Sequence, residues 1–130
     1  MLVLDASVAF SSCVAADGFD VFGSESLIGP PLMWSEARSA IHELAWRRQI
    51  AREDAEATAA RLERCPVEPR APARLGVEAW RLADELGWAK TYDAEYLALA
   101  ELLGCRLVTL DARLRRGADR LGYVISPDEI

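Results

Sequence analysis

A chain of 130 residues is the size of one compact domain, and its composition, 52% hydrophobic and 28% charged, excludes a disordered segment. No apolar run approaches the roughly 20 residues that cross a bilayer, and the opening Met1 to Asp5 lacks the basic and apolar regions of a signal peptide. A net charge of −6 taken alone disfavours a nucleic-acid partner, since phosphate rewards a basic surface, unless several acids are neutralised around a metal ion. The expectation is one cytoplasmic domain over residues 1–130 with no membrane segment.

Residues 2–4, Leu-Val-Leu, form a short apolar run that suits a buried strand and stops at Asp5. Residues 7–16 follow as a helix ended by Asp17-Gly18, and residues 26–29 as a brief strand before Pro30-Pro31. From 33 to 48 the apolar residues Ala37, Ala40, Ile41, Leu44 and Ala45 recur at helical spacing. Residues 53–64 make a second, Ala-rich helix, and Val67-Glu68 an extended segment among Pro66, Pro69 and Pro72. Helices over 73–86 and 91–103 are each closed by a glycine, Gly87 and Gly104. Residues 106–110 are the clearest strand, stopping at Asp111; a helix over 113–121 and a last strand over 123–125 complete the chain. Short apolar strands alternating with helices predict an α/β fold, a central parallel sheet flanked by helices on both faces.

Cys13, Cys65 and Cys105 stand far apart with no paired spacing, which argues against a disulfide framework and a zinc site. His42 is the only histidine, so a histidine-rich metal site is excluded, and a helix flank is its expected place. Arginines outnumber lysines fourteen to one, in clusters at 47, 48 and 52 and at 113, 115, 116 and 120. The guanidinium fork suits phosphate, although solvated helix faces paired with nearby acids explain such clusters equally well. Trp34, Trp46, Trp80 and Trp88 fit core or interface packing better than base stacking.

Four acids occupy telling positions. Asp5 and Asp111 each follow a strand and precede a helix, so each suits an N-cap, and Asp93 falls in a first turn that Thr91 could cap. Glu36 shares a helical stripe with Met33, Ala40 and Leu44, and Asp93 lies below Tyr96, Leu97 and Ala100. A lone carboxylate on an inward face is costly and calls for a cation or hydrogen-bond donors. In open α/β sheets ligands bind beyond the carboxyl ends of the strands, where Asp5 and Asp111 stand. If the two helix acids face the same rim, four carboxylates converge, a hard-oxygen set suited to Mg²⁺ or Mn²⁺ rather than zinc.

Leu4-Asp5-Ala6-Ser7, Pro31-Leu32-Met33-Trp34-Ser35-Glu36, the run from Thr91-Tyr92-Asp93-Ala94 to Ala100, and Leu107-Val108-Thr109-Leu110-Asp111 occur in that order. The set resembles the PIN domain, in particular the toxin ribonucleases of VapC-type toxin–antitoxin pairs, over nearly the whole chain. The resemblance implies a metal-dependent endoribonuclease acting in the cytoplasm on structured RNA, a small antitoxin whose C-terminal segment covers the active site, and a homodimer. It assigns Asp5, Glu36, Asp93 and Asp111 as catalytic, Mg²⁺- or Mn²⁺-binding residues. Ser7 and Thr109 match hydroxyl positions that orient the acids, though helix-start and strand-end hydrogen bonding would also account for them. Some relatives carry a further acid just after the last one; here Ala112 and Arg113 follow Asp111, which favours one ion over two and leaves Arg113, with Arg116, to contact RNA phosphates.

A phosphorelay receiver domain would need adjacent acids after the first strand and a late lysine, and Lys90 is the only lysine. A phosphatase of the Asp-x-Asp kind fails at Ser7. The remaining alternative is a catalytically silent PIN-like interaction module, against which stands the presence of all four acids.

Overall fold

The computed structural model describes residues 1–130. Five short strands, β1 (Leu2–Leu4), β2 (Leu27–Gly29), β3 (Val67–Pro69), β4 (Arg106–Val108) and β5 (Val124–Ile125), form one parallel sheet in the order β3-β2-β1-β4-β5. β1 lies at its centre, with Leu2 paired to Leu27 on one side and to Arg106 on the other. Every residue of β1 is buried, as a central strand covered on both faces requires.

The chain starts in the middle of the sheet, winds outward through β2 to β3, returns across to β4 and continues to β5. Its direction of winding therefore reverses between β1 and β4. Right-handed crossovers place the helices of the two windings on opposite faces. α1 (Ala6–Val14), α2 (Leu32–Trp46) and α3 (Arg52–Glu63) pack together as one layer, while α4 (Leu75–Leu86) packs on α5 (Tyr92–Leu103) in the other. A short α6 (Ala112–Gly117) links β4 to β5.

α5 is the most deeply set helix: Ala94 and the whole run from Tyr96 to Ala100 are buried, against β1 and β4. Ala94, Ala98 and Ala100 let its backbone come close to the sheet. Truncating Leu97 there removes a fully buried side chain, a change that costs about 2–5 kcal/mol in such cores.

Several expectations are corrected. β4 ends at Val108, two residues early; Thr109 still donates its backbone N–H to the Ile125 carbonyl, but Leu110 turns out to solvent. The helix expected over 113–121 breaks into α6 and a separate 3-10 turn at Asp119–Leu121, with the weak helix former Gly117 at the junction. On α2 the buried stripe is Met33, Ala37 and Ile41; Ala40 is exposed, so Glu36 sits on the flank of the inward face. Trp34 and Trp88 pack against the core, whereas Trp46 and Trp80 are 81% and 67% exposed. His42 is exposed on α2 and the three cysteines are free. No helix is long and apolar enough to cross a membrane.

Candidate active site

Asp5 ends β1 and caps α1. Its extended backbone turns the side chain back so that Oδ1 accepts the Val8 N–H at 3.1 Å and the Ser7 hydroxyl at 2.6 Å. The Thr109 hydroxyl donates to the other oxygen, Oδ2. The two hydroxyls in turn accept backbone N–H groups from the loop after β4, Leu110 to Ser7 and Asp111 to Thr109, each at 3.0 Å. A side chain that is only 5% exposed is thus held by three donors, and the hydroxyls stitch β1 to the end of β4. Burial pushes the Asp5 carboxyl above its usual range; the three donors oppose that, and the charge of Asp111 adds to it.

Asp111 caps α6, accepting the N–H groups of Arg113 at 2.9 Å and Leu114 at 3.2 Å. Both strand-end acids are therefore N-caps, and capping accounts for their places without excluding a further role.

The helix acids are less tied. Glu36, half-buried beside Met33 and Ala37, has one donor, the hydroxyl of Tyr96 at 2.5 Å. Its carboxyl is pushed up first by burial, and further by the negative charges of Asp93 and Asp5. Asp93, half-buried in the first turn of α5, is pushed up by burial and by Asp111, while the Arg113 guanidinium pulls it down. No hydrogen bond acts on it, and Thr91 makes no side-chain cap.

Those influences close a ring: Asp111 acts on Asp5, Asp5 on Glu36, Asp93 on Glu36, and Asp111 on Asp93. The topology explains it, because Asp5 and Asp111 stand at the carboxyl ends of adjacent strands where the winding reverses, the place where α/β sheets open a ligand crevice. The rim brings the four acids into mutual electrostatic range. It stops short of a preformed ligand cluster, since no three acidic, histidine or cysteine side chains are set to hold one ion. The donor set is all carboxylate oxygen, with open lone pairs on Glu36 and Asp93 and only Lys90 and Arg113 as cations in the adjoining cavity wall, which suits a hard divalent cation.

Beside the helix acids lies a cavity of about 540 Å³ whose walls include Glu36, Asp93, Trp88, Lys90, Tyr92 and Arg113. Arg113 is exposed at its edge; Arg116, also exposed on α6, does not line it. Tyr96 is the residue of this site that sequence reasoning missed. Its signal was present, three residues beyond Asp93 and so on the same helical face.

A doubly wound parallel sheet with an acidic rim at its switch point defines the class, an α/β domain with a ligand site at the strand ends. Residues 2–120 match the PIN domain family. The chain is 33% identical over 115 residues, 88% of either protein, to a VapC ribonuclease of Mycobacterium bovis, and equally to ribonuclease VapC9 of Mycobacterium tuberculosis. The crystal structure of PAE2754 from Pyrobaculum aerophilum superposes with a TM-score of 0.75 at 26% identity, covering 98% of this chain and 84% of that one. The chain belongs to the PIN domain family and, within it, groups with the VapC ribonucleases.

Proposed function

We propose that this protein is a toxin endoribonuclease of a toxin–antitoxin pair, which hydrolyses phosphodiester bonds of RNA at the acidic rim. The observation that carries the reading is the placement of Asp5 and Asp111 after adjacent strands, with Glu36 and Asp93 lining a cavity at the switch point, in a domain whose relatives are named ribonucleases. Asp5, Glu36, Asp93 and Asp111 would hold the ion, Mg²⁺ or Mn²⁺. A bound divalent cation supplies neutralisation of phosphate charge and activation of water.

The chain's own contribution is placement. Ser7, Thr109 and the Val8 N–H fix Asp5, while the Tyr96 hydroxyl orients Glu36. Glu36 and Asp93 keep open oxygens toward the cavity. Arg113 and Arg116, which form no ion pair with a carboxylate, are free to meet RNA phosphates. The protein acts in the cytoplasm as a homodimer and is restrained by a small antitoxin whose C-terminal segment covers the rim.

The test is cleavage of a structured RNA by the purified protein in Mg²⁺, in Mn²⁺ and in EDTA. Cleavage with metal, none in EDTA, and a fall of about a thousandfold in both Asp5→Ala and Asp93→Ala are expected, since metal catalysis supplies several kcal/mol. Cleavage undiminished in both variants would overturn the reading.

A further inference from the structure

The cavity beside Glu36 and Asp93 has a second wall of different chemistry. The loop between α4 and α5, residues 87–91, contributes Trp88 and Lys90; the first residue of α5 contributes Tyr92, and α6 contributes Arg113. Lys90 is the only lysine of the chain. Neither it nor Arg113 has a carboxylate partner, although Arg38, Arg47, Arg52, Arg70, Arg74, Arg81 and Arg115 all do. Two cations without an ion pair thus flank the same cavity.

The Tyr92 ring is 56% exposed, one residue before Asp93, which is an unusual place for a large aromatic group that supports no core. The wall that carries it is rigid. Gly87 adopts the left-handed conformation that ends α4, with the Trp88 N–H returning to the Ala83 carbonyl at 2.8 Å. Trp88 is wedged against α6 so closely that a Cβ on Gly117 would lie 3.1 Å from its ring. A flat exposed ring, two free cations and two carboxylates with open oxygens therefore surround one cavity. Its volume falls within the roughly 300–1,000 Å³ range of small-ligand pockets. That is room for one nucleotide and not for a duplex.

We infer that this cavity is a nucleotide subsite for unpaired RNA, in which the base adjoining the cleaved bond stacks on Tyr92 while Lys90 and Arg113 hold its phosphate. The inference rests on the ribonuclease reading and deepens it. A ring presented at the surface reaches only a base that is unstacked from its neighbours, so the preferred target is a loop or single strand rather than a helix. An acidic peptide would also meet Lys90 and Arg113, but it would have no use for the ring.

The test has two arms. In EDTA, the holo-length chain is titrated with adenosine 5′-monophosphate and, separately, with a polyglutamate peptide, followed by NMR or calorimetry. With metal, steady-state kinetics are run on an RNA that carries the target in a loop. Tyr92→Ala and Lys90→Ala each weaken mononucleotide binding about tenfold and raise KM by a similar factor with little change in kcat, since one base stack or one phosphate contact is lost. Tyr92→Phe keeps the ring and behaves as wild type. Asp5→Asn, outside the cavity, still binds the mononucleotide but does not cleave. Unchanged binding and KM in Tyr92→Ala would overturn the subsite even with Asp5→Asn inactive. Peptide binding that depends on Lys90 but not on Tyr92 would overturn it in favour of a protein partner. Full cleavage by Asp5→Asn would instead overturn the ribonuclease reading beneath it.

Discussion

The two strand-end acids and the two helix acids share one rim but are held in opposite ways. Asp5 is buried under three donors spread over both its oxygens, and Asp111 accepts two backbone N–H groups on Oδ1, so both are anchored within the fold. Glu36 has a single donor, and no hydrogen bond acts on Asp93. The anchored pair ties strands and helices together, while the less anchored pair borders the cavity with open oxygens. The four acids thus differ in how firmly hydrogen bonds anchor them, not in their charge.

That division predicts opposite effects on stability. In EDTA, Asp5→Ala strands the Ser7 and Thr109 hydroxyls and the Val8 N–H, lowering stability by about 2 kcal/mol and Tm by roughly 5–10 °C. Asp93→Asn, measured the same way, raises Tm, because it removes a half-buried charge that other carboxylates oppose. Thermal unfolding of the two variants followed by circular dichroism checks this; a shift of the same sign and size in both would erase the distinction.

Tyr96→Phe probes the one bond that makes Glu36 intermediate between the two pairs. Loss of the hydroxyl leaves the fold intact and lowers cleavage about tenfold, as for outer partners that orient metal ligands. Unchanged kcat would mean that Glu36 needs no orientation. The smallest effect lies off the rim, at the exposed ion pair of Arg115 with Glu129. Arg115 pulls the Glu129 carboxyl down to about 2. A depressed carboxyl stabilises the fold above its unfolded value near 4.5 and loses that contribution as pH falls toward 2. The Tm difference between wild type and Glu129→Gln is accordingly small and constant above about pH 5 and closes on acidification. A gap that widens on acidification would contradict the pairing.

What was legible in the sequence follows the range of the interactions. Asp5 and Asp111 were visible because a short apolar run ending in an acid is a local pattern, and Asp93 because its helix is apolar on the same side. Glu36 was singled out by a stripe whose members were partly wrong: Ala40 faces solvent, and the carboxylate sits on a flank. The helix and strand boundaries drifted by a residue or two where glycine or a last ladder bond decided them, as at Gly117 and Thr109. The Tyr96–Glu36 bond joins residues 60 apart, and no local period encodes it. Nor could periodicity reveal that Trp46 and Trp80 stay outside, since a helical stripe does not say whether a neighbour covers it.

The bond from Thr109 to Asp5 spans 104 positions, and β1 meets β4 only after both windings of the sheet are made. Parallel partners so distant close late, because their loop entropy is met before their contacts reward it. A growing polypeptide therefore carries Asp5 through most of its synthesis without the strand end that holds it. The acidic rim is therefore complete only when nearly the whole chain has been made.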